Sequence, residues 1–153
     1  MTPQLIADLD DTSLDDHLWL RLLDVYQPLD PDALMRAPDG VRAYICTRLF
    51  EWEVGNGGLH QYFFNQPDPR LLKLILDGYS FLGLDDARRI IDEVVAPVAA
   101  EEAAWRESLR DGTIETFFAS YVESKLPEYD VRIVEHDEDR IRYVRANPEL
   151  FSI

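Results

Sequence analysis

Glu53, Asn56, His60 and Gln61 stand within one short segment, EWEVGNGGLHQYFFN, that interrupts a helical pattern with glycines. Residues of these types can do acid–base chemistry. A glutamate with a raised pKa serves as a general base, a histidine as the acid, and a helix N-terminus opened by Gly57 and Gly58 as an anion site. The same residues also fit a structural role. Glu53 follows Leu49 by four positions and Trp52 by one, which places it on or beside a buried stripe. A carboxylate there needs partners, because burying a bare charge is costly. The free N–H groups of a second helix after the glycines would supply them, with the helix dipole favouring the charge. Asn56 suits a cap or a left-handed position, and Gln61 and Asn65 lie four apart on one face. We read the segment as a hydrogen-bonded corner holding two helices at a fixed angle, and the catalytic cleft with Glu53 and His60 as its alternative. No clear nucleophile is near; Cys46 lies seven residues before Glu53, on the body of the helix.

The elements that must position this segment are helical. Ser13-Leu14-Asp15-Asp16 has the form of a capping box with Ser13 as N-cap, followed by Leu18, Leu22, Val25 and Tyr26 at helical spacing until Pro28. Asp30-Pro31 and Asp68-Pro69 each pair an N-cap with a first-turn proline. Pro38-Asp39-Gly40 opens a helix with the stripe Val41, Tyr44, Ile45, Leu49 and Trp52, and Gly55 is placed as its stop. The run LLKLILDGYSFLG is apolar on nearly every side, which predicts the central helix of the core. Asp85 and Asp86 open a helix through Val95, with a kink or restart at Pro97 and a further segment past Trp105. Asp111-Gly112 is a turn, and Thr113 caps a helix carrying Phe117, Phe118, Tyr121 and Val122. Val131 to Val134 reads as briefly extended, and a last helix begins near Asp137. Sustained two-residue alternation is absent. The expectation is one all-α domain over residues 1–153, of about seven or eight helices, with a glycine-broken corner at Gly55–Gly58. It divides into an acidic N-terminal part (1–40), motif and core helices (41–83) and acidic C-terminal helices (84–153).

The pattern E-x-x-N-G-G-x-x-Q-Y-F-x-N, here Glu53, Asn56, Gly57, Gly58, Gln61, Tyr62, Phe63 and Asn65, resembles the signature of a bacterial domain of unknown function, the DNA-mimic-protein-like family. The resemblance extends from about Val41 to the closing Ala146–Phe151. It implies an all-α fold and, for the best-known type, an acidic surface that imitates DNA and occupies a DNA-binding protein. Glu53, Asn56, Gly57, Gly58, Gln61 and Asn65 lie in the corner, so matching them speaks to fold more than to partner.

Charge is the other prominent feature. Thirty acids oppose fifteen bases, a net charge of −15 with a pI near 4.4. Such a field repels nucleic acid and anionic membrane and attracts basic protein surfaces. Duplex DNA carries one charge per ~1.7 Å of axis, so this total matches roughly 25 Å of duplex. A compact domain of this length is ~40 Å across, so imitation requires most of the charge on one face. Residues 1–40 hold nine acids and two bases, residues 41–80 four of each, and residues 81–153 seventeen and nine. The excess therefore sits at the two ends of the chain. The clusters are Asp8, Asp10, Asp11, Asp15 and Asp16; the pairs Asp85/Asp86, Asp92/Glu93 and Glu101/Glu102; and Glu135, Asp137, Glu138 and Asp139. Taken singly, many of these acids suit helix starts, where they favour the dipole. Collectively they are the expected partner-binding face.

The histidines, His17, His60 and His136, have no ligand at metal spacing, and neither a phosphate-binding glycine loop nor a basic patch occurs. No cofactor, metal or direct nucleic-acid contact is expected. Trp19, Trp52 and Trp105 lie on apolar stripes and are most simply core; the alternative is that one of them, or Phe151, anchors a homodimer. The lone Cys46 and an N-terminus without a basic flank or long apolar run suit a cytoplasmic protein outside the membrane. The reading is a non-enzymatic, acidic interaction protein that binds a basic, DNA-binding partner. Its alternatives are a shape-specific scaffold or immunity-type binder, or a small hydrolase or transferase using Glu53 and His60.

Overall fold

The computed structural model describes residues 1–66, 68–94, 96 and 124–152. Glu101, Glu102, Trp105, the expected restart at Pro97, the Asp111-Gly112 turn and the helix from Thr113 lie outside the described residues. The chain is all-α. Among the described residues the helices are α1 (Pro3–Asp8), α2 (Asp11–Tyr26), α3 (Pro31–Leu34), α4 (Asp39–Asn65), α5 (Pro69–Phe81), α6 (85–94), α7 (Pro127–Asp130) and α8 (Asp137–Ala146), followed by a 3-10 turn over Pro148–Phe151. No strand occurs among the described residues. Of the extension expected at Val131–Val134, the first half is turn instead, with Arg132 N–H donating to Tyr129 O and Ile133 N–H to Asp130 O. Among the described residues no helix is long and apolar enough to cross a membrane.

Caps set most helix starts. Asp30 accepts from Ala33 N–H at 2.7 Å and Asp68 from Arg70 N–H at 2.9 Å, each with proline at the head of its helix. The α2 cap lies three residues earlier than the capping box predicts. Asp10 accepts both the backbone N–H and the hydroxyl of Ser13, at 2.9 and 2.8 Å, and so uses up the residue expected to cap. Asp16 turns outward towards Arg48.

The central helix is α4, not α5. Buried positions on α4 run from Val41 through Tyr44, Ile45, Leu49, Phe50 and Val54, and include the polar Thr47, Glu51 and Glu53. Helix α5 buries only one stripe, Leu71, Ile75, Gly78 and Tyr79, while Lys73, Asp77 and Ser80 face outward. Its extra leucines 72, 74 and 76 are half-buried flanks, which is why the run reads as apolar all round. Gly78 lets the two helices meet: a Cβ there would lie 3.2 Å from Ala43 Cα.

Two aromatics differ from expectation. Trp52 is 54% exposed, because Phe50 and Val54 define the buried side and a residue two positions away lies ~200° around the helix. Phe151 is fully buried, edge-on to Tyr44 at 6.0 Å, so it closes this protein's own core and is unavailable to a second copy. Cys46 is buried as well, and burial pushes its thiol up to about 12.

Candidate functional site

The corner forms within the predicted Gly55–Gly58 segment, at its last two glycines and two residues past the expected stop at Gly55. Helix α4 continues through Gly55 and Asn56 and breaks at Gly57 and Gly58. Gly58 has φ +77°, a conformation that glycine adopts without penalty. Asn56 stays within the helix and faces solvent, so it neither caps nor takes a left-handed conformation. Past the break, α4 turns back on itself. Glu53 is 4% exposed, and its Oε2 accepts from Gln61 Nε2 at 3.0 Å and from Asn65 Nδ2 at 2.9 Å.

The expected backbone donors go elsewhere. Leu59 N–H donates at 2.9 Å to Asp130 Oδ1, seventy-one residues away, so α7 supplies the cap for the second arm of α4. The Asp130 carboxylate fills the space where a Gly58 side chain would be, only 2.5 Å from an ideal Cβ. Burial raises its pKa, opposed by the Leu59 N–H and by His60. Glu53 and His60 are 4% and 1% exposed, so they sit in packed interior rather than across an open cleft. This arrangement fixes an angle between two helical arms.

A second buried carboxylate, absent from the sequence reading, lies two residues before Glu53. Glu51 is 3% exposed and is held from three distant positions. Tyr79 OH donates to its Oε1 at 2.7 Å; Arg140 Nη1 and His136 N–H donate to Oε2 at 2.6 and 3.0 Å. Arg140 is itself 1% exposed and also donates to Asp137. Desolvation opposes the Arg140 charge, but Glu51 and Asp137 hold its pKa above the ordinary value. Burial first, and then the Glu51 charge, pushes the Tyr79 hydroxyl well up. The network ties α4 and α5 to the start of α8. Its only trace in the sequence is a glutamate beside a buried stripe and an arginine on the apolar side of the last helix.

The acids expected to face a partner divide into three groups. Asp8 accepts from Gln4, Asp10 caps α2, and Asp11 pairs with Arg145 at 2.6 Å. Asp15 is turned inward at 8% exposure, accepting from Tyr44 OH at 2.5 Å and Arg48 Nε at 2.6 Å. The Arg48 guanidinium also lies over Trp19, 4.7 Å from the ring centre. In α8, Asp139 accepts from Arg142 and faces His136; these contacts outweigh burial and lower its pKa. On α6, Asp86 pairs with Arg89 and Asp92 with Arg88, while Glu93 reaches Arg132 across the fold at 2.7 Å. Asp85, Glu135 and Glu138 are exposed, with no cation partner among the described residues.

Tertiary packing brings the chain ends together. Helix α8 packs on α1 and α2, and Arg145 clamps the α1–α2 turn by donating to Ile6 O, Leu9 O and Asp11. At the other end of this seam, Asp15, Glu135 and Asp137 border one shallow depression with Trp52. Helix α6 is separated from it by residues 131–136; an apolar groove lined by Ala87, Ile90, Ile91, Ile133 and Val134 runs between them. Among the described residues, no group of three His, Cys, Asp or Glu side chains converges as a metal site.

A protein-family model described as DMP19-like protein matches residues 35–147, which includes the corner, the Glu51 network and α8. Neither the curated proteins nor the solved structures contain a match.

Proposed function

The chain belongs to the DMP19-like family, and from that premise we propose that it is an acidic interaction protein that occupies the DNA-binding surface of a basic protein partner. The family points to a DNA-mimic role. The observation that carries the reading is the seam between α2 and α8. It packs α2, near one end of the sequence, against α8, near the other, so that Asp15 borders one depression with Glu135 and Asp137. The neutral middle of the chain forms α4 and most of α5, so the excess charge lies outside these two central helices. Binding through such a face is fast and falls with ionic strength.

The test is capture from the native host's lysate at low and moderate salt, with duplex DNA as competitor. The expected result is a basic DNA-binding protein that both salt and DNA release, and that the triple variant Asp16→Asn, Glu135→Gln, Glu138→Gln captures less. Capture that ignores salt, DNA and these substitutions would replace this reading with shape recognition by a scaffold or immunity-type binder.

A further inference from the structure

We propose that the depression between α2, α4 and the start of α8 receives a single arginine side chain of a basic protein partner, stacked on Trp52 and bonded to Glu135. This rests on the acidic-face reading and names the contact at its centre. The depression is about 90 Å³ and is walled by four carboxylates, Asp15, Glu51, Glu135 and Asp137, against two guanidiniums, Arg48 and Arg140. Its walls therefore carry a net charge of −2.

Both internal cations are already committed. Arg48 bonds Asp15 at 2.6 Å and Asp16 at 3.4 Å; Arg140 bonds Glu51 at 2.6 Å and also Asp137. Glu135 has no cation partner among the described residues. Beside it stands Trp52, an indole 54% exposed on a helix whose neighbours Glu51 and Glu53 are buried. An exposed indole next to an unneutralised carboxylate is well suited to a cation, which the ring face attracts while the carboxylate pairs its charge.

The same protein shows the completed form of this arrangement nearby. Arg48 lies over Trp19 at 4.7 Å while its nitrogens bond Asp15 and Asp16. Trp52 with Glu135 repeats the indole and the carboxylate and lacks the guanidinium. A planar, weakly hydrated guanidinium can stack flat on the ring while donating in-plane bonds, whereas an ammonium is a compact, strongly hydrated point charge with no face to stack, so arginine is the occupant.

Titration with hexa-arginine and hexa-lysine peptides at low salt, followed by tryptophan emission and calorimetry, tests this. Hexa-arginine should bind several-fold tighter than hexa-lysine. Trp52→Ala or Glu135→Gln should weaken hexa-arginine about five- to tenfold and remove that preference, Trp52→Phe should keep part of it, and thermal midpoints should stay unchanged. If both peptides bind equally, and Trp52→Ala changes neither while Asp16→Asn with Glu138→Gln weakens both, the arginine pocket is wrong and the acidic face stands. Failure of both peptides to bind overturns the pocket and the face together.

Discussion

Glu51 and Glu53 are two residues apart on α4 and almost equally buried, yet they are satisfied in opposite ways. Glu53 is held by two neutral amides, eight and twelve residues along the same helix. Glu51 is held by a tyrosine, a guanidinium and a backbone N–H that lie twenty-eight to eighty-nine residues away. The first is a local device: one glycine turn returns the chain to its own carboxylate. The second is a device of the whole fold, and it exists only when α5 and α8 are docked. A buried carboxylate thus indicates that partners are required, while its sequence surroundings disclose them only if they are local.

The comparison is broken most severely at Arg140. Arg140→Met leaves Glu51 buried without its counter-charge and should cost about 3–5 kcal/mol in urea unfolding. Adding Glu51→Gln should recover much of that loss, and little recovery would mean that Arg140 acts through packing alone. Glu53→Gln should cost less, about 2 kcal/mol, because two neutral donors lose a charged acceptor but keep an amide oxygen. A variant that melts like the wild type would revive the catalytic reading of Glu53.

Gly58→Ala tests the turn that makes the local device possible. A side chain at φ +77° would strain the backbone and meet the Asp130 carboxylate, so a loss of about 1–2 kcal/mol is expected. Gly83→Ala is its control, since φ is +74° there but nothing lies within 4 Å of the Cβ; a smaller loss isolates the Asp130 contact.

The smallest effect is in pH, and it sets a local cap against a distant one. The Ser13 backbone N–H, then its hydroxyl, lower the Asp10 pKa from the ordinary 3.8. Its stabilising contribution is present above 3.8 and is lost as pH falls through the lower, folded value. Asp130 has the opposite sign. Burial raises its pKa, so its contribution is full below 3.8 and is lost as pH rises through the folded value. Thermal melts from pH 3 to 7 should therefore show Asp10→Asn flattening the acid-side loss. Asp130→Asn should gain on the wild type as pH rises; parallel curves would exclude the burial effect.

The legible parts of this molecule share one property: their partners are close in sequence. Asp30 and Asp68 could be read because a cap acts within one helical turn. Glu53, Gln61 and Asn65 could be singled out for the same reason, although their mutual bonds were not specified. Ser13 misled because Asp10, three residues upstream, is an equally good cap and adds a turn to α2. The leucine run of α5 misled because side chains at half-buried flanks look the same in sequence as those at a centre.

By itself, the sequence determined an all-α chain, a glycine corner, a demand for partners around Glu53, and a charge excess confined to its two ends. The tertiary structure alone decided that α4 is the central helix, that Glu51 binds Arg140 and that Asp130 caps the corner. It also decided that Asp15 turns inward and that Trp52 looks out beside Glu135. Local propensity and capping act over one turn, whereas burial, ion pairing and the shape of a surface depend on which distant helices meet.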